Sequence, residues 1–152
     1  MKMLGRIAAC LAVAAFLAAP LSAKPAPSLT ERNRAIITDF AHLFYDKRDV
    51  RAAFAKYVAP DYIQHNANIL DGRDAAIAAL EPMFRQEGSR FEIKRIVVDG
   101  DMAVVHLHGR AGAAGNGGTV ADIYRLKGGK IVEHWDILQP IADKPLNSHA
   151  YF

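Results

Sequence analysis

The chain changes its hydrophobic period once, at about Phe91, and the change divides it into a helical half and a strand half. Ahead of it, Ile36, Ile37, Phe40, Leu43 and Phe44 recur at helical spacing. Ser28 stands three residues before Glu31, the spacing at which serine and glutamate cap a helix reciprocally. Together these predict a first helix over 29–47. Asp49 is placed to cap a second, shorter helix carrying Val50, Phe54 and Tyr57, which Pro60 ends. Residues 61–68 read as a short strand or extended loop. Asp71-Gly72 turns the chain into a third helix, with Ile77, Leu80, Met83 and Phe84 inward and Gly88 at its end. Pro82 falls inside that pattern and is expected to kink the helix or split off its last turn.

From Phe91 the alternation is that of strands. Residues 91–98 and 102–110 pair across Asp99-Gly100, a type I′ hairpin signal, and 119–126 pair with 130–139 across Lys127-Gly128-Gly129. A glycine-rich loop, 111–118, joins the two hairpins, and the tail 143–152 has no clear period. Helices first and antiparallel strands after define an α+β chain with segregated layers. Its expected architecture is a curved four-stranded sheet over three helices, closing a pocket between them.

Polar residues inside strands carry the chemical information. Tyr62-Ile63-Gln64-His65-Asn66 places several polar groups in a segment that must also reach the core. His106 and His108 share a strand face, as do Asp122 and Tyr124. The last strand carries Glu133-His134-Trp135-Asp136. Each has an unremarkable reading: histidines on a solvated face, an edge aspartate, a packed tryptophan, His42 on a helix surface, and Glu133 paired with Arg125 across the hairpin. Trp135 and Asp136, being adjacent, cannot both face inward on a regular strand, so a bulge or strand end is expected there. The outer sheet face is expected to carry Val105, Leu107 and Ile123, an apolar surface suited to a homodimer.

The first 23 residues read as a secretory signal peptide: Lys2 and Arg6, an apolar run from Ile7 to Ala19, Pro20, and Ala23 at the cleavage position. That run is too short for a bilayer span of about 20 residues. Cys10 sits in lipobox-like letters, but most of the apolar region follows it. The expectation is a periplasmic or secreted domain over 24–152, with no stable membrane insertion after cleavage and no cysteine. Its 17 basic against 16 acidic residues give no nucleic-acid footprint.

The strings Tyr62-Ile63-Gln64-His65-Asn66, Asp71-Gly72-Arg73-Asp74, His106-Leu107-His108, Asp122-Ile123-Tyr124-Arg125-Leu126 and Gly129-Lys130-Ile131-Val132-Glu133-His134-Trp135-Asp136 resemble the SnoaL-like proteins of the nuclear transport factor 2-like superfamily. The resemblance covers nearly all of 24–152, in order. It implies a cone-shaped α+β barrel with one pocket at its wide end. It also implies polyketide cyclase-like, isomerase-like or purely binding functions, since the fold hosts all of these. By the resemblance, Asp122 is the pocket acid/base candidate and His65 the second polar group. Trp135 and Asp136 line the pocket from the last strand, and His106 and His108 match a branch assigned to aldol condensation. That branch often has proline where this chain has Ala67, which loosens the expected aim of His65.

Removing a proton beside a carbonyl needs a base of near-neutral pKa and a donor for the enolate oxygen. A histidine starts near that pKa, and an aspartate buried in an apolar cone is pushed toward it. The expected catalytic pair is therefore Asp122 and His65. The expected pocket comprises Tyr62, Gln64, Asn66, His106, His108, Tyr124, Trp135, Asp136, Phe40 and Phe44. No cofactor motif is present, and none is expected. The expected activity is of lyase or isomerase type on a small carbonyl compound. The alternative is a binding module for a small apolar ligand, which predicts the same pocket without convergence of acid and base. Two sharper alternatives are a metal site drawn from His106, His108, His134 and Asp122, and epoxide hydrolysis by Asp122, Asp136 and an arginine. Arg125 lies an odd number of residues from Asp122, which argues against the latter.

Overall fold

The structure, a computed structural model, describes residues 25–152; the expected signal peptide and Cys10 lie outside the described residues. Helix α1 spans Leu29–Ala41 and continues as a π-helical turn over His42–Asp46. Its start is the expected capping box: the Glu31 amide donates to Ser28 Oγ at 3.2 Å, and the Ser28 amide donates to Glu31 Oε2 at 2.7 Å. Helix α2 spans Val50–Tyr57 and is capped by Asp49, which accepts from the Ala52 amide at 3.0 Å. Helix α3 spans Arg73–Arg85 and runs through Pro82. Pro82 lies three residues before the helix end, so its missing N–H costs only the one bond to the Ala78 carbonyl, and the helix continues to Arg85, where the Gln86 amide still donates to the Pro82 carbonyl.

Five strands form one sheet: β1 Val58–Gln64, β2 Arg90–Asp99, β3 Met102–Arg110, β4 Gly118–Lys127 and β5 Lys130–Pro140, in the order β1-β5-β4-β3-β2. The expected four antiparallel strands are β2 to β5. The addition is β1, which pairs parallel to β5, with Gln64 opposite His134. The sheet is therefore mixed, curved and unclosed, and the helices pack on its concave face to give the cone-shaped α+β fold. Pro60 does not end α2: the chain is already extended from Val58, and the proline sits inside β1 at an exposed position.

Turn chemistry follows the glycines. Gly128 and Gly129 both take positive φ, as a type I′ turn between Lys127 and Lys130 demands. At the other hairpin Gly100 alone of its two loop residues has positive φ, the pattern of a type II′ turn in place of the expected I′.

Ile37, Phe40, Phe44 and Phe54 from the helices meet Val105, Tyr124, Leu126 and Ile131 from the sheet in the core. Val105 and Leu107 thus face inward, contrary to the expected outer face, and His106 and His108 take the outer one. The physical reason is that burying a valine and a leucine is favourable, whereas burying two imidazoles costs desolvation. Ile123 does lie outward, in a cross-strand row with Val97, Val104 and Trp135. Among the described residues no helix is long and apolar enough to cross a membrane.

Candidate functional site

Between the helices and the sheet lies a cavity of about 430 Å³. Its walls are apolar: Phe44, Phe54, Leu80, Met83, Phe84, Phe91, Leu107 and Val120. Its polar lining is concentrated at Asp122, Tyr62, Gln64, Asn66, Tyr124, His134 and Asp136. Phe84 stacks between Phe44 and Phe91, with ring centroids 4.3 and 4.0 Å away, so one wall is a rigid aromatic stack.

Asp122 is the centre of the polar group, at 8% exposure. One carboxylate oxygen, Oδ2, accepts from the Tyr45 hydroxyl. The other, Oδ1, lies 3.2 Å from His134 Nε2. Tyr45 Oη is also 2.6 Å from Tyr124 Oη. Because the Tyr45 proton goes to Asp122, the Tyr124 hydroxyl is the donor in that second bond. On its far side, His134 places Nδ1 2.9 Å from Gln64 Oε1, and Gln64 Nε2 donates to the Tyr62 hydroxyl at 3.2 Å. Asp136 is held by Asn66, whose side-chain amide donates to Oδ2. Burial, and next the negative charge of Asp122, hold the Tyr45 and Tyr124 hydroxyls well above the ordinary phenol range. Burial likewise raises Tyr62. All three tyrosines therefore stay protonated: Tyr45 and Tyr124 donate in the bonds above, and Tyr62, which accepts from Gln64, retains its proton.

Two one-residue insertions create this arrangement. In β5, Val132 is an extra residue: Arg125 pairs with Glu133 and Leu126 with Ile131. Counting back from the Lys127–Lys130 turn on a regular ladder would put Trp135 opposite Asp122. The bulge puts Asp136 there, and His134 opposite Tyr124. The ladder is regular at Trp135 and Asp136, where a bulge was expected, so Asp136 faces the cavity and Trp135 faces out. The second insertion is the π turn at the end of α1, which buries both Phe44 and Tyr45. A π turn holding a site residue is a recurrent functional device.

The structure brings together Asp122, Tyr62, Gln64, Asn66, Tyr124, Asp136 and Phe44 from the expected pocket. It does not bring in His65, His106, His108, Trp135 or Phe40. His65 follows Gln64 by one residue on an extended segment, so it points to the opposite face. There it stacks on Trp135 with centroids 4.5 Å apart and bonds Glu133 at 2.8 Å. Glu133 also accepts from Arg125 Nε at 2.6 Å, the expected cross-hairpin pair. The His65 bond, and then the Arg125 bonds, lower the Glu133 carboxyl. His106 bonds Thr119 Oγ1 at 2.7 Å and His108 the Asn116 carbonyl at 2.7 Å, both on the outer face beneath Phe152. Burial lowers His106, and the nearby Arg95 lowers it further. Phe40 is fully buried behind Phe44, in the core and not at the cavity wall.

Sequence reasoning left Tyr45 out of the site and named His134 only as a candidate metal ligand. His134 was visible as a strand polar residue but lost to the parity shift. Tyr45 gave no helical-period signal beside Phe44. The sheet divides the metal set of His106, His108, His134 and Asp122 between two faces. A different trio, Asp122, His134 and Asp136, offers ligand atoms all within 4.8 Å of one another.

The model of the SnoaL-like domain family matches residues 37–134, which hold every member of this polar group except Asp136. No curated protein matches the sequence. Solved structures similar to it include an NTF2-like protein of unknown function from Mesorhizobium loti, with 22% identity, coverage of 76% of this chain and 97% of that one, and a TM-score of 0.64. A protein provisionally named a ketosteroid isomerase, from Kribbella flavida, shares 15% identity over 79% of this chain and 87% of that one, with a TM-score of 0.63. A protein provisionally named a polyketide cyclase, from Acidithiobacillus ferrooxidans, shares 18% identity over 74% and 91%, with a TM-score of 0.57. Identities this low establish the fold, and the family match covers most of the chain: the protein belongs to the SnoaL-like domain family.

Proposed function

We propose that this small-molecule pocket protein is a cofactor-independent acid/base enzyme acting on a small, mostly apolar carbonyl compound. The observation that carries the reading is Asp122, set at an apolar cavity between a tyrosine donor and His134. The Asp122 carboxylate takes a proton from carbon beside the substrate carbonyl. The C–H electron pair becomes the enolate double bond, and the carbonyl pair moves onto oxygen. Tyr62 accepts from Gln64 and keeps its own hydroxyl proton for that oxygen. Return of the proton at another carbon completes an isomerisation, whereas attack of the enolate carbon on a second carbonyl completes an aldol closure. In this reading His134 takes the partner role expected of His65. The two similar structures named as an isomerase and a cyclase are compatible with either outcome. The proposal extends to a periplasmic or secreted location and to a homodimer formed through the outer row of Val97, Val104, Ile123 and Trp135.

The test is a thermal-shift screen of small ketones, β-dicarbonyls and aromatic polyketide fragments, with product analysis of each hit. A ligand raises the melting temperature in proportion to its occupancy. Wild-type turnover is expected to fall at least about 100-fold in Asp122→Asn, the scale of a lost general base, while the thermal shift persists. Undiminished turnover in the variant would sink the reading. Binding without turnover in both proteins would establish the alternative, a binding module.

A further inference from the structure

We infer that Gln64 is a positioning residue that fixes the tautomer of His134, so that Asp122 and His134 hold a single mobile proton between them; this rests on the acid/base reading above. The Asn66 N–H lies 3.0 Å from Gln64 Oε1, and a backbone N–H can only donate, so the side-chain atom it meets is the oxygen. Gln64 is fixed further by its backbone N–H, which donates to Asp71 Oδ1 at 2.8 Å, and by its Nε2 bond to Tyr62. The same Oε1 faces His134 Nδ1. An oxygen acceptor there requires Nδ1 to carry hydrogen.

The consequence falls on the other ring nitrogen. Nε2 faces an Asp122 oxygen, and a bare nitrogen cannot bond a bare carboxylate. One proton must lie between them, either on nitrogen as an imidazolium–carboxylate pair or on oxygen as a neutral pair. The remaining groups packed around the pair are Tyr45 from the π turn, Tyr62 from β1, Tyr124 from β4 and Asp136 from β5, and the three tyrosines keep their protons. From the ion pair, a proton taken from substrate by the Asp122 carboxylate leaves a neutral acid beside an imidazolium; from the neutral pair, the proton on Oδ1 passes to Nε2 as the other carboxyl oxygen takes the one from substrate. Both routes end in the same state, with no change at Nδ1. Gln64 does this through the His134 ring and makes no hydrogen bond to Asp122.

The experiment is nitrogen-15 NMR of the histidine side chains in the whole protein, with His134 assigned by the signals lost in His134→Asn. Wild type is expected to show Nδ1 of His134 protonated across the pH range in which the protein stays folded. Gln64→Leu, which removes the acceptor, is expected to give a mixture of tautomers. Gln64→Glu, which keeps an acceptor oxygen, is expected to restore the single form. A bare Nδ1 in wild type, or one tautomer surviving in folded Gln64→Leu, would overturn the inference whatever the activity. On a substrate found as above, Gln64→Leu is expected to lower kcat at least about tenfold with little change in KM, the loss moving with the tautomer. If the tautomer behaves as stated but Asp122→Asn remains active, the acid/base reading fails and the ring assignment stands.

Discussion

Tyr45→Phe removes one oxygen from a buried side chain and leaves its packing in place. The ring still meets Phe44 at 4.6 Å and Phe84 at 6.2 Å, so no cavity of consequence opens. Two hydrogen bonds disappear. The bond to the Asp122 carboxylate is of the charged type, worth about 1.5–3 kcal/mol, and the bond from Tyr124 is neutral, worth about 0.5–1.5 kcal/mol. Both former partners are left in a site with little access to water. The expected loss is about 3 kcal/mol, or roughly 12 °C in melting temperature for a domain of this size. Urea denaturation at pH 7 of wild type, Tyr45→Phe, Asp122→Asn and the double variant measures it. An amide accepts more weakly than a carboxylate, so Tyr45→Phe should cost about 1 kcal/mol less in the Asp122→Asn background. A loss under about 1 kcal/mol, or the same loss in both backgrounds, would refute the argument that Tyr45 stabilises the fold through Asp122.

On the outer face, the Glu133 carboxyl is lowered below its ordinary 4.5 by His65 first and then Arg125. Its stabilising contribution is therefore present above that value and lost as pH falls through the folded-state pKa. Glu133→Gln should be less stable than wild type at pH 7, and denaturant midpoints of the two should converge below pH 4.5; a pH-independent gap would count against the linkage. In the loop before β4, Gly117 has φ +74° and a Cβ there would stand 2.3 Å from the Gly109 carbonyl oxygen, whereas Gly115, at φ +70°, has open space. Gly115→Ala should cost about 1 kcal/mol, the left-handed strain alone, and Gly117→Ala clearly more, with equal losses excluding the steric account.

The parts of the fold legible in the sequence were those written in local patterns. Ser28 with Glu31, Asp49 ahead of Val50, and the two glycine-bearing hairpins each act over a few residues, and each is where the pattern placed it. Asp122 and Tyr124 were legible as an inward pair because β4 alternates without interruption between them. What escaped was set by single inserted residues. Val132 inverts the parity of everything after it in β5, so His134 and Asp136 face the cavity where counting would have chosen Glu133 and Trp135. The π turn does the same for Tyr45 in helical terms. The third miss is the pairing of β1, part of which was read as a short strand or extended loop: it lies parallel to a strand far along the chain, and no local turn announces such a partner. His65 was misplaced for that reason: its alternation with Gln64 was readable, but the strand it joins was not.

The parallel pairing of β1 with β5 also sets an order in time. Gln64 and Asn66 meet His134 and Asp136 across 70 residues of chain, so half of the polar cluster is synthesised long before the other half exists. Closing so large a loop is entropically costly and belongs late in folding. A growing chain can build its helices and pair β2 with β3, and β3 with β4, while the site is still absent. Competence for chemistry therefore arrives at once, with the docking of the last strand, and a chain interrupted after β4 would carry Asp122 without its histidine.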